Sequence, residues 1–228
     1  QLGIMPRAIQ DVPGLKIRST YHPVEAVGGD IYDFIRFSDD KIGIFIGDAS
    51  GHGLASAFVA TICKMSLYSH TRSETPVNQL LARMNADLMS NVTSGHYLTC
   101  FWGILDLSAK TITCARAGHP KPILMSKENT LQFLDPPGTF IGILDTVAFE
   151  QRTYNVSEGD RIYFFTDGIY EVMSSTRESG RTLGFQEFRK ILTEHNRLPL
   201  DEVIPSLKSY LSHYTYEDDY TLILTEVQ

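Results

Sequence analysis

Cysteine is scarce in this 228-residue chain, and long apolar runs and blocks of basic residues are missing. The three cysteines, Cys63, Cys100 and Cys114, are odd in number and form no CxxC pair. That excludes a disulfide framework and a structural zinc site, which needs closely spaced Cys/His pairs. Each lies in an apolar pattern and reads as a buried thiol of a reducing, cytoplasmic compartment. No run reaches the roughly 18 apolar residues of a membrane helix, so no membrane insertion is expected of this fragment. The N-terminus carries no charged-then-apolar signal segment. It starts at Gln1 rather than Met, and Gln1 to Gln10 reads as the end of a linker from a missing upstream region. That region could still tether the full-length protein to a membrane. The net charge of −7 comes without a basic cluster, so a nucleic-acid backbone is excluded as the main partner. A mild acidic excess otherwise serves solubility.

What is present is enough apolar sequence, 43%, for an ordinary core without staples. Leu15, Ile17 and Tyr21 mark a strand after Pro13-Gly14. Ile31 to Phe37 and Ile42 to Ile46 read as strands joined by the turn Ser38-Asp39-Asp40-Lys41. From Leu54 to Tyr68 the period becomes helical, through Leu54, Phe58, Ile62, Met65 and Leu67. Pro76 opens a second helix with Thr75 as N-cap, and Leu80, Leu81, Met84 and Leu88 line its buried face. Strands follow over Tyr97 to Leu107, Thr111 to Ala117, Lys121 to Met125, Leu131 to Leu134, Val147 to Val156 and Arg161 to Thr166. A helix is expected after Gly168 and a mobile loop over Ser174 to Arg181. Two amphipathic helices, Phe185 to His195 and Leu200 to His213, precede a last strand, Tyr220 to Val227. This order lacks βαβ alternation. It predicts an α+β domain of antiparallel sheets with helices packed outside, with no internal repeat or domain boundary.

Four acidic clusters stand at the ends of these strands: Gly28-Gly29-Asp30 with Asp33, Gly47-Asp48-Ala49-Ser50-Gly51-His52-Gly53, Thr166-Asp167-Gly168, and Glu217-Asp218-Asp219. Gathered carboxylates repel one another and raise each other's pKa. Hard divalent cations with oxygen ligands remove that cost. Each cluster alone also reads as a solvated turn; their joint arrangement points to a metal-dependent enzyme. Asp33 is out of phase with Asp30 and reads as structural. The loop after Asp48 has no Lys, so it is not a Walker phosphate cradle. It offers instead the Asp48 carboxylate and the Ala49 carbonyl. His52 reads as a loop hydrogen-bonding residue, with metal ligation and proton transfer as alternatives. Of Asp218 and Asp219, one reads as ligand and one as support.

Five segments in order resemble the metal-dependent serine/threonine phosphatases of the type 2C superfamily, in particular their bacterial SpoIIE/RsbU-like branch. They are Glu25 to Phe34, Gly47 to Gly53, Ala117-Gly118-His119-Pro120, Phe165 to Glu171, and Asp218 to Leu222. The resemblance implies a β-sandwich flanked by α-helices over residues 13–228, with 1–12 as linker. It implies two Mn²⁺ or Mg²⁺ ions. Asp48 would bridge them, the Ala49 carbonyl would ligate one, and Asp30, Asp167 and Asp218 would complete the set, some through water. Gly29, Gly51, His52, Gly168 and Asp219 would support it. Arg116 departs from the branch, which has Asn there, and no Arg matches the phosphate-holding one of eukaryotic members. The implied substrate is a phosphorylated STAS-domain protein, an anti-sigma-factor antagonist. An upstream sensor or regulatory domain is implied, signalling through the helix pair Leu54 to Ser90, and a homodimer is compatible. A silent phosphoprotein-binding module of the same fold and a Mg²⁺-dependent nucleotide hydrolase are the competing readings.

Overall fold

The computed structural model describes residues 5–6, 11–92, 95–174 and 182–228. β1 (Leu15–His22), β2 (Asp30–Arg36) and β3 (Lys41–Ala49) lead into helices α1 (Gly53–His70) and α2 (Val77–Asn91). Six strands follow: β4 (Leu98–Asp106), β5 (Thr111–Ala117), β6 (Ile123–Met125), β7 (Leu131–Phe133), β8 (Gln151–Asn155) and β9 (Arg161–Phe165). After a 3₁₀ turn at Asp167–Ile169 come β10 (Met173–Ser174), α3 (Gly184–His195), α4 (Leu200–Leu211), β11 (Tyr214–Thr215) and β12 (Tyr220–Val227).

The strands form two antiparallel five-stranded sheets, in the orders β1-β12-β9-β6-β7 and β2-β3-β4-β5-β8, plus the short β10-β11 pair. Period-two alternation explains how they stack. Along β9, Ile162 and Phe164 join the core between the sheets, while Tyr163 and Phe165 join a second core with α3 and α4. The inner faces meet where Phe101 of β4 and Phe164 of β9 bring their rings to 5.5 Å. Each fully buried ring of this kind contributes about 1.5–3 kcal/mol. α1 and α2 cover the outer face of the second sheet, and α3 and α4 that of the first. The expected α+β sandwich flanked by helices is therefore the fold.

The apolar positions Leu54, Phe58 and Met65, which mark the helical period of α1, face outward, each more than 60% exposed. The buried side is built from Ser56, Ala57, Val59, Ala60, Cys63, Lys64 and Leu67, because small side chains let the helix lie close to the sheet. Thr75 does not cap α2; Pro76 holds the N-cap position and the Thr75 hydroxyl donates to the His70 carbonyl. The helix expected after Gly168 is only the 3₁₀ turn. A Cβ on Gly168 would meet the Asp219 carbonyl oxygen at 2.0 Å, so the chain is pinned against the head of β12. The loop expected over Ser174 to Arg181 lies, beyond Ser174, outside the described residues.

Candidate metal centre

Both sheets deliver their acidic ends to one rim. Asp30 starts β2 and Asp48 lies near the end of β3, and the antiparallel register sets them directly opposite each other. Like charges so placed destabilise a sheet. Asp167 follows β9, and Asp218 and Asp219 precede its neighbour β12. Asp48, Asp167 and Asp218 line a cavity of about 330 Å³, together with Ala49, Ser50, Gly51, Tyr97, Thr99, Pro120 and Phe140.

Asp30 sits behind this cavity, 1% exposed. Its Oδ2 accepts hydrogen bonds from the Thr166 hydroxyl at 2.8 Å and the Thr221 hydroxyl at 2.7 Å. The Thr166 hydroxyl oxygen in turn accepts from Thr221 N–H at 2.8 Å. One carboxylate of the second sheet is thus seated on two threonines of the first. Both threonines escaped the sequence reading. Their signal was weak: a hydroxyl at the buried end of each of two apolar strands.

Asp219 fastens the turn that carries Asp30. Its two oxygens accept from Val24 N–H at 2.8 Å and Gly29 N–H at 2.7 Å. Gly28 and Gly29 permit this approach. A Cβ on Gly28 would lie 2.0 Å from the Asp219 carboxylate, and one on Gly29 would lie 2.6 Å from the Ala49 carbonyl oxygen and 3.3 Å from an Asp48 oxygen. Asp219→Ala is expected to destabilise the protein by about 2–3 kcal/mol, the cost of leaving these N–H groups unmade. Urea denaturation measures it, and a loss under about 0.5 kcal/mol would show that the turn stands without its carboxylate.

The electrostatics are those of an uncompensated anionic site. Burial, then the facing Asp48, raises Asp30 well above the usual carboxylate range. Burial, Asp167 and Asp218 push Asp48 up to about 8. Burial raises Asp167; burial, then Asp219 and Asp167, raises Asp218, which His52 opposes. Glu171, not among the expected site residues, is raised by burial and by Asp167 and Asp218. Asp33 stands apart. It faces α1, paired with Lys64 Nζ at 2.8 Å and the Tyr68 hydroxyl at 2.7 Å. His52 is exposed at the head of α1, with Nδ1 2.8 Å from Glu25 Oε1.

The donor set fits a hard divalent cation in kind: carboxylates and the Ala49 carbonyl, with the raised protonation that such a charge would reverse. Among the described residues no group of three or more His, Cys, Asp or Glu side chains is placed to hold a metal ion by itself. An ion held here would need backbone oxygen and water as well. Arg116 braces the neighbouring turn, donating to the His119 carbonyl at 2.9 Å and to Asp135 at 2.8 Å.

Comparisons with known proteins agree with this geometry. The family model of Stage II sporulation protein E (SpoIIE) matches residues 38–228, a span that holds Asp48, Asp167 and Asp218 and starts after Asp30. The phosphoserine phosphatase RsbU of Bacillus subtilis is 26% identical over 206 residues, 89% of this chain and 60% of its own length. The chain thus spans well under two thirds of that relative. The crystal structure of the RsbU and RsbW domains of a Mycobacterium tuberculosis protein superposes with a TM-score of 0.81 at 25% identity, covering 96% of this chain and 61% of that one. RsbX, solved in complex with magnesium, shares the fold over 97% of this chain and 99% of its own, with a TM-score of 0.74 at 15% identity. With residues 38–228 matched, Asp48, Asp167 and Asp218 among them, the chain belongs to the SpoIIE family.

Proposed function

We propose that this chain is a metal-dependent protein serine/threonine phosphatase that removes phosphate from a phosphorylated STAS-domain protein in a bacterial partner-switching pathway. The observation that carries the reading is the convergence of Asp48, Asp167 and Asp218 on one cavity, with Asp30 facing Asp48 across the β2–β3 ladder. Asp48, the Ala49 carbonyl, Asp167 and Asp218 would hold Mn²⁺ or Mg²⁺, two ions in the family pattern, with Asp30 behind them. Bound cations supply an activated water and offset the charge of the phosphoryl oxygens. The rest falls to the chain. Asp30, fixed by Thr166 and Thr221, keeps Asp48 facing the cavity. Asp219 and the 3₁₀ turn at Asp167–Ile169 set the spacing of the two strand ends. His52, oriented by Glu25 at the head of α1, would be an imidazole able to move a proton.

A relative named phosphoserine phosphatase supports the activity, and the pairing of RsbU with RsbW domains in a structural neighbour supports the pathway. Residues 13–228 would form the catalytic unit, with 1–12 leading from an upstream regulatory region. The exposed apolar positions of α1 are where input from that region would arrive. Among the described residues no helix is long and apolar enough to cross a membrane.

The test is phosphate release from phosphorylated STAS-domain proteins of the same genome, with Mn²⁺ added or chelated. Release that depends on Mn²⁺ is expected. Tight binding without release would favour the silent module, and release from ATP instead would favour a nucleotide hydrolase.

A further inference from the structure

The cavity is lined by two unlike sets of residues. Asp48, Asp167 and Asp218 supply carboxylates, and Tyr97, Pro120 and Phe140 supply apolar surface. Hard cations take oxygen ligands, so the aromatic set has no part in holding metal. It also has no part in the proposed hydrolysis. Its two rings nevertheless stack at 5.0 Å between centroids and 25° between planes. Both residues are only half-buried, so ring surface stays open to the cavity.

Phe140 is anchored from three directions. Gly118, at φ +67°, leaves the space the ring fills; a Cβ there would lie 2.1 Å from it. Ile141 exchanges both backbone hydrogen bonds with Leu98, at 2.9 and 3.0 Å. The buried Asn85 of α2 accepts from Gly142 N–H and donates to the Leu144 carbonyl, both at 2.9 Å. An aromatic surface fixed in this way binds an apolar group without first being ordered.

We propose that the Tyr97–Phe140 stack is the subsite for the side chain next to the phosphorylated residue, and that it selects an apolar neighbour. This rests on the phosphatase reading above. A phosphoryl group held through cations on the carboxylates would leave the adjoining peptide residue against the aromatic wall, because both sets of residues line one cavity. That wall offers aromatic faces and Pro120 rather than charge, so an aliphatic side chain is buried there and a charged one is desolvated without a partner.

The test compares three substrates with Mn²⁺ present: a phosphoserine peptide with Leu on both sides of the phosphoserine, the same peptide with Gly, and the same with Asp. The readout is the ratio of kcat/KM values, which does not depend on the overall activity of a variant. For the wild type, Leu over Gly is expected to be at least tenfold, and Asp lowest. Phe140→Ala and, independently, Tyr97→Ser are expected to bring the Leu/Gly ratio to within about twofold of one. Either variant suffices should the other fail to fold. A wild-type ratio near one, or a ratio unchanged in a folded variant, overturns the subsite and leaves the phosphatase reading standing. No hydrolysis of any peptide by the wild type overturns the phosphatase reading, and the subsite with it.

Discussion

Asp48→Ala is expected to lower Mn²⁺-dependent phosphoserine hydrolysis at least a thousandfold, about 4 kcal/mol of transition-state stabilisation, while the chain stays folded. Asp48 lies at the centre of the acidic rim. It faces Asp30 across the ladder and lines the same cavity as Asp167 and Asp218. Without it, the two strand ends no longer share a common ligand. The same substitution relieves repulsion, because burial and the carboxylates of Asp167, Asp218, Asp219 and Glu171 push the Asp48 carboxyl up to about 8. The metal-free variant is therefore expected to melt no lower than the wild type at pH 8. Asp33→Ala is the contrasting change. It leaves Lys64 buried without its carboxylate, so it costs stability of the order of 3 kcal/mol but does not touch the cavity. Phosphate release and circular-dichroism melting distinguish the two. Asp48→Ala that keeps more than a tenth of the activity would remove the proposed metal site.

The second large effect is on pH and metal together. In the unfolded chain Asp48 titrates near 4; in the fold it is pushed up to about 8, and Asp30 is raised with it. Between those values the folded chain keeps a proton that the unfolded chain has lost. The metal-free protein is thus most stable below about pH 4 as far as this group is concerned, and loses stability as pH rises to 8. At about 1.4 kcal/mol per pKa unit, the loss is several kcal/mol. A divalent cation displaces the proton and reverses the trend, so the stabilisation given by Mn²⁺ is larger at pH 8 than at pH 5.5. Melting curves in chelator and in Mn²⁺ at both pH values test this. Equal melting temperatures at pH 5.5 and pH 8 in chelator would show that the carboxylates do not crowd as described.

How much of this could be read in advance differs by element. The strands were legible because Ile31 to Phe37 and Ile42 to Ile46 end at turn residues and alternate or fill both faces. The rim was legible because an Asp beside Gly at the end of an apolar run is a local pattern, and four such patterns accumulate. α1 was legible as a helix, but its buried side was not. Leu54, Phe58 and Met65 mark one face by hydropathy, whereas close packing on the sheet selected Ser56, Ala60 and Cys63. The division of labour between Asp218 and Asp219 was left open by adjacency alone. In the fold Asp219 accepts from two backbone N–H groups nearly 200 positions earlier in the chain, while Asp218 lines the cavity. Tyr97 and Phe140 carried no signal, because their meeting depends on a loop held by Asn85 and a gap left by Gly118.

The seat of Asp30 joins positions 191 apart in sequence, since Thr221 belongs to the last strand. During synthesis, the residues that form most of the rim leave the ribosome long before this partner exists. A chain arrested before Asp218 lacks Asp218, Asp219 and Thr221, so it can neither seat Asp30 nor complete the set of carboxylates. Under the proposed function, competence to act on phosphoproteins would arrive only once β12 is made. A product truncated before that strand would be silent rather than unregulated.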